Sequence, residues 1–265
     1  MSPSIQFRPR HRQGLTLVEM LVVFAVIGIV GTMVLLGVRR ATGLAKSVQS
    51  SENLRNLAIA NANYLVDNGV YCPAADRTNN RRWHGARTSG TGTFDPKKGF
   101  LSPYLGQSEQ VTACPLFKPT SESSFEEGTG GYGYNAAYIG GLPGGQFDKR
   151  TGIALSQRPA NITNPARTVM FTTTAYARSE GLQEAAFCEP PFWDYGDGPG
   201  TDRPSPTVHF RANGKALVAW CDGRVTAEVK NDSSPGANPH GGDAGKWDLG
   251  WFGPDDNNGW WNPRN

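Results

Sequence analysis

The sequence is short of charge, of cysteine and of histidine, and each shortage narrows what the chain can be. Only 18% of its 265 residues are charged, and Cys and His number four each. The histidines are scattered and no Cys-x-x-Cys pair occurs, which argues against a zinc site. There is no Gly-x-Ser-x-Gly, no phosphate-binding loop and no His-Glu-x-x-His, and no pair of carboxylates stands apart from the surface acids. The sequence therefore carries no mark of an enzyme. Heptads and internal repeats are absent, and there is one long apolar run, so coiled-coil, collagen-like and polytopic membrane classes are excluded. Glycine (33) and proline (19) are plentiful instead, about a fifth of the chain against a usual ~12%. Hydrophobic residues at 38% and aromatics at 10% are enough for a single modest core. Together these features describe a loop-rich globular part beside one apolar segment.

That segment, Leu15–Val38, reads LTLVEMLVVFAVIGIVGTMVLLGV and has Glu19 as its only charge. As a helix it spans ~36 Å at ~1.5 Å per residue, enough to cross a bilayer. No acid precedes Glu19, whereas Arg8, Arg10, His11 and Arg12 form a basic head. The positive-inside rule then keeps the N-terminus in the cytoplasm and exports the remainder of the chain, with Arg39 and Arg40 weakening but not reversing the bias. A cleaved secretory signal would have a shorter core followed by small residues, so the apolar segment is expected to stay in the protein.

The junction Gly14-Leu15-Thr16-Leu17-Val18-Glu19 resembles the type III signal of type IV pilins and type II secretion pseudopilins. The shared features are a short basic leader, a Gly before the cut, an apolar first mature residue and a Glu at mature position five; Leu15 stands where that family usually has Phe or Met. The resemblance implies that a prepilin peptidase cuts after Gly14 and methylates the amine of Leu15. It also implies other pilin or pseudopilin subunits and an inner-membrane assembly platform as partners. A carboxylate within an apolar helix costs ~2.5–3.5 kcal/mol at mid-bilayer and calls for a partner. The amine of a neighbouring subunit would supply one to Glu19. An ordinary signal anchor with Glu19 at the interface is the alternative.

No proline occurs between Leu15 and Val70, and Leu44, Val48, Leu54, Leu57, Ala58, Asn61 and Leu65 fall mostly at helical spacings. One helix of roughly fifty residues is expected, stopped by Asp67-Asn68-Gly69. The expected organisation is a cleaved leader at 1–14, a membrane helix at 15–40 and an exported head at 41–265. Within the head, Leu101–Leu105, Gly133–Ile139 and the β-branched Thr168–Thr174 are the best ordered segments. Residues 208–230 hold two hairpin pairs, Asn213-Gly214 and Asp222-Gly223. Both read as type I′ turns, which predict a three-stranded meander with Ala212 opposite Lys215 and Trp220 opposite Val225. The fold class is α+β and pilin-like: a long N-terminal helix against a small antiparallel sheet, a C-terminal meander and long loops.

Residues 211–225, RANGKALVAWCDGRV, also resemble the motif of a prepilin-type domain named for His-x(nine)-Asp-Gly and abundant in planctomycete-type bacteria. Asp222-Gly223 matches, Ala212 stands where the family has His, and a His occurs at 209. That departure favours a hairpin role over a catalytic one.

Cys72, Cys114, Cys188 and Cys221 all fall in the exported part, so two disulfides are expected. Three connectivities are open, with Cys72–Cys114 and Cys188–Cys221 preferred. Asp194, Asp197 and Asp202, with Asp255 and Asp256, offer oxygen ligands among glycines and turns, so calcium is a candidate beside plain solvated turns; no other cofactor is implied. Trp247, Trp251, Trp260 and Trp261 suggest an alternative function, a membrane-anchored polysaccharide-binding module, or else cover for one face of the meander. DNA binding would draw on Arg77, Arg81, Arg82, Trp83 and Arg87. The +3 net charge does not strengthen that reading, because the leader holds Arg8, Arg10 and Arg12 without an acid and its loss leaves a formally neutral chain. The reading that best unites these features is a structural filament subunit anchored in the inner membrane, its N-terminus in the cytoplasm and its head in the periplasm or on a filament.

Overall fold

The computed structural model describes residues 17–106, 113–121, 126–233 and 238–265. It shows an α+β, pilin-like fold: one long N-terminal helix, α1 (Leu17–Asn68), and several small antiparallel sheets. The chain divides into two units, Met1–Ala45 and Lys46–Asn265, the latter called the head below.

In the first unit every residue from Leu17 to Thr42 is exposed, and from Met20 to Val38 the helix carries no charge on any side. Packing among the described residues does not account for that helix; the absence of proline and the run of helix-compatible apolar residues do. In the head, α1 buries one face through Ser50, Asn53, Leu54, Leu57, Ala58, Ala60 and Asn61, the i, i+3, i+4 pattern of a helix lying on a core. Gly69 ends it with φ +72° and a hydrogen bond from its N–H to the carbonyl of Leu65 (2.8 Å), a left-handed cap that glycine adopts without penalty.

The strands in chain order are β1 (Arg81–Arg82), β2 (Gly85–Ala86), β3 (Tyr132–Tyr134), β4 (Val169–Thr173), β5 (Tyr176–Arg178), β6 (Gly181–Gln183), β7 (Val208–His209), β8 (Lys215–Trp220), β9 (Val225–Val229) and β10 (Leu249–Gly250). The main sheet has the order β3-β4-β8-β9, and β1-β2, β5-β6 and β7-β10 form two-stranded ribbons. On one face Leu54 and Leu57 of α1 join Tyr132, Tyr134, Phe171, Leu217 and Ala219. On the other, Val218 and Trp220 join Trp251, Phe252 and Trp261 from the C-terminus. The Tyr-Gly-Tyr of β3 accounts for its place. Ser50 Oγ lies 3.0 Å from the Tyr132 hydroxyl, and Asn61 Nδ2 donates to that of Tyr134 (2.9 Å). A Cβ at Gly133 would sit 2.5 Å from Thr174 Cγ2, so the opposite side of the strand has no room for a side chain.

The meander differs from expectation in two ways. Asn213-Gly214 does form the tight turn, with φ of 54° and 75° and paired hydrogen bonds between Ala212 and Lys215. The chain before it then leaves β8: β7 pairs with β10, and β4 takes the place beside β8. Thr173 holds this split open. Its hydroxyl donates to the carbonyl of His209 (3.0 Å) and accepts from the N–H of Leu217 (3.2 Å), standing in for the ladder bonds that β7 and β8 would exchange.

The second loop is not type I′. Only Gly223 has positive φ (86°); its N–H donates to Trp220 O, and the N–H of Trp220 donates to Arg224 O. This is a three-residue loop, a type I turn closed by a left-handed glycine. Asp222 serves it by accepting from the N–H of Arg224 (3.0 Å). The register slips by one relative to the expected one, so Ala219 rather than Trp220 lies opposite Val225. Because side chains alternate along a strand, the slip turns Val225, Ala227 and Val229 onto the α1 side.

Candidate functional site

Glu19 lies in the first turn of α1, where unpaired backbone N–H groups favour a negative charge. Gly14 and Leu15, where processing is expected, lie outside the described residues. The hydroxyls of Thr32, in the apolar stretch, and Thr42, just beyond it, donate to the carbonyls of Ile29 (2.7 Å) and Val38 (2.9 Å), so both are satisfied within the helix, as a lipid environment demands. A Cβ added at Gly28, Gly31 or Gly37 would meet nothing within 4 Å. By length and composition α1 is long and apolar enough to cross a membrane.

In the head the cysteine expectation is overturned: all four are free. Cys114 Sγ lies 3.3 Å from Ser50 Oγ, and the N–H of Cys72 donates to Asn61 Oδ1 at 2.9 Å. Those two anchors on α1 are about 16 Å apart along its axis, whereas bridged cysteines have Cα atoms within about 7 Å. Cys188 and Cys221 pack into different clusters, on opposite sides of the main sheet. An even count in an oxidising compartment says nothing of distance. Burial pushes the Cys72 and Cys188 thiols well above the ordinary range, which keeps both protonated and inert.

The aspartates do not converge either. Asp194 spends its carboxylate on the N–H groups of Gly196 (2.9 Å) and Gly198 (3.3 Å) and on the Tyr138 hydroxyl (2.8 Å). Asp255 is paired with Arg203 at 2.7 Å and accepts from Ser233 and Asn231. Asp197, Asp202 and Asp256 are exposed. Among the described residues no group of three His, Cys, Asp or Glu is placed to hold a metal, so the calcium candidate has no built site. Turn geometry explains these acids.

The indoles face inward. Trp251 and Trp261 are fully buried, donating to the carbonyls of Glu189 (3.1 Å) and Cys188 (3.2 Å). Trp260 meets Trp220 edge-on at 5.4 Å and has the Arg167 guanidinium 4.8 Å over its ring, while Trp247 packs against the α1-side core. They close the second face of β8 and offer no row of rings to a polysaccharide. The basic cluster is likewise spent on the fold. Arg82 and Trp83 are buried, Arg81 and Arg87 stack over Phe100 (4.3 Å) and Phe94 (4.5 Å), and Arg77 lies over Phe147 (5.5 Å). Ala212 and Asp222, the two positions aligned with the His and Asp of the second motif, sit at opposite ends of β8, about 20 Å apart by strand rise. His209 instead packs against the Phe117 ring at 6.3 Å, and burial first, then the Arg211 charge, lower its pKa to about 3.

Two features of the head escaped sequence reasoning. One is the buried pair of Arg82 and Glu126. The other is Glu189, whose carboxyl burial first, and then the Glu126 charge, raise to about 7. Nothing in the sequence around Glu189 marks it. Because Glu189 binds its proton more tightly in the folded state, its contribution to stability is full below about pH 4.5 and is lost as pH rises through about 7. At pH 8 a Glu189→Gln head is expected to be more stable by about 2 kcal/mol, or roughly 4–8 °C in melting temperature. The difference should vanish near pH 4 in thermal scans of both proteins.

Residues 9–35 match the family model described as the prokaryotic N-terminal methylation motif. No curated protein and no solved structure matches the chain. The motif, together with the apolar helix, supports a membrane-anchored type IV pilin-like protein with a structural role.

Proposed function

We propose that the chain is made as a prepilin, cut after Gly14, methylated on Leu15 and assembled through α1 into a type IV pilus-like or type II secretion filament. The observation that carries this reading is the coincidence of the methylation motif with an unbroken helix whose apolar half is left uncovered by the described residues. A bilayer covers that half before assembly, and neighbouring helices cover it in the filament. Glu19 within it is the assembly residue, pairing with the amine of a neighbouring Leu15. The head stays outside the cytoplasm, since the basic leader holds the N-terminus inside.

Mass spectrometry of the chain purified from membranes tests the processing. The expected first residue is N-methylated Leu15, with the leader and its three arginines gone. An intact Met1, or a cut beyond Arg40, would overturn the proposal. Immunogold labelling of intact cells then separates a surface pilus from a short secretion filament.

A further inference from the structure

We propose that a cleft in the head binds a protonated alkylamine, with Glu189 as its counter-ion and Trp193 and Tyr195 as aromatic contacts for the cation. The inference stands apart from the filament reading, since it uses the head alone. The cleft has a volume of about 410 Å³ and lies between the loop at 140–147 and the segment at 187–195. Its walls are mostly small and apolar, such as Ala74, Ala137 and Ala154, with Gly140 and Gly141 where the backbone comes close. The charged residues lining it are Glu189 and Asp194, and no Lys, Arg or His among the described residues does so.

Glu189 is the unusual member. Its backbone N–H donates to Thr207 Oγ1 (3.0 Å) and its carbonyl accepts from Trp251 Nε1 (3.1 Å), yet its carboxyl has no hydrogen-bond or ion-pair partner among the described residues. Glu126 and Glu184, by contrast, are satisfied by Arg82 and by the N–H groups of Thr129 and Gly130. A partly buried carboxyl without a partner is costly in an apolar wall, and a ligand cation removes that cost.

The aromatic residues agree with a cation. Trp193 (39%) and Tyr195 (68%) are the large aromatic side chains that the described head leaves exposed, and both line this cleft. Their ring faces attract an ammonium group, and the alanine and glycine walls accept its aliphatic stem. A neutral sugar would require several converging donors and acceptors, whereas Gln146 is the only uncharged side-chain amide in the lining. The shared chemistry fits both a free amine and a lysine side chain of another protein.

The test is tryptophan fluorescence of the full-length chain in detergent micelles, titrated with n-butylammonium, with Nα-acetyl-lysine amide and with cellotriose. Saturable binding of both amines supports the proposal, and saturation by the lysine amide alone supports it with a protein lysine as the source. Glu189→Gln should weaken amine binding at least tenfold, and Tyr195→Ala should weaken it severalfold should the first variant not fold. Binding should tighten about tenfold from pH 6 to pH 8 as the carboxyl ionises; the groups facing it are Glu126 with its partner Arg82, Tyr176, Cys188 and, across the cleft, Asp194. No saturation by about 10 mM of either amine would overturn the proposal. Cellotriose binding that Glu189→Gln leaves unchanged, with the amines silent, would also overturn it.

Discussion

A Glu19→Ala chain is expected to reach the membrane at wild-type level and to be almost absent from filaments. Insertion should not suffer, because removing a carboxylate from an apolar helix relieves a cost of up to ~2.5–3.5 kcal/mol, less near the helix end where Glu19 lies. Assembly should suffer because the proposed partner, the amine of Leu15 on the next subunit, is then buried without its counter-ion. Stranding one member of a buried pair costs about 3–5 kcal/mol. At every subunit contact that is a hundredfold or more in the association constant. Immunoblots of membrane and sheared-filament fractions from the same cells read both quantities. Wild-type incorporation of the variant would refute the pairing, and a loss from the membrane fraction would place the role of Glu19 in insertion instead.

Glu126→Ala should destabilise the head more than any surface change. Arg82 and Glu126 have side chains 1% and 8% exposed. Besides the contact through Nη1, Arg82 Nη2 donates to Glu126 Oε1 at 3.0 Å, and Nε donates to Asn79 Oδ1 at 2.9 Å. The guanidinium also lies over the rings of Phe94 (4.9 Å) and Phe187 (5.3 Å). Removing the carboxylate leaves that cation in place, with Arg87 nearby and with a His84 that burial first, and then Arg82 and Arg87, hold neutral. The expected loss is about 3–5 kcal/mol, or a fall in melting temperature of about 6–20 °C. The double change Arg82→Met with Glu126→Leu should recover most of it, because apolar side chains of similar size leave no charge to strand. A loss below about 1 kcal/mol for the single variant would mean that water reaches the pair.

How much could be read in advance depended on chain separation. The long helix, its glycine stop and the strand at Thr168–Thr174 are local features, and periodicity or β-branching marks each within one window. The turn at Asn213-Gly214 was legible for the same reason, since its two positive φ angles are a property of those residues. The loop at Asp222-Gly223 was not, because Asp-Gly also closes a three-residue hairpin, and the dipeptide does not choose between the two registers. Asp194 suited a metal site equally well, until the fold showed its carboxylate spent on the N–H groups of Gly196 and Gly198 and on the Tyr138 hydroxyl.

The membrane anchor thus rests on local sequence: basic residues without an acid, an apolar run of membrane length, and a glutamate near its start. Charge and hydropathy act over one segment and need no partner to be legible. The strand that borders β8, the four unbridged cysteines, the buried tryptophans and the cleft at Glu189 came from contacts across tens to hundreds of residues. The physical reason is that a strand edge and a buried face are filled by segments distant in the chain, as where the Thr173 hydroxyl bridges the carbonyl of His209 and the N–H of Leu217 between β7 and β8.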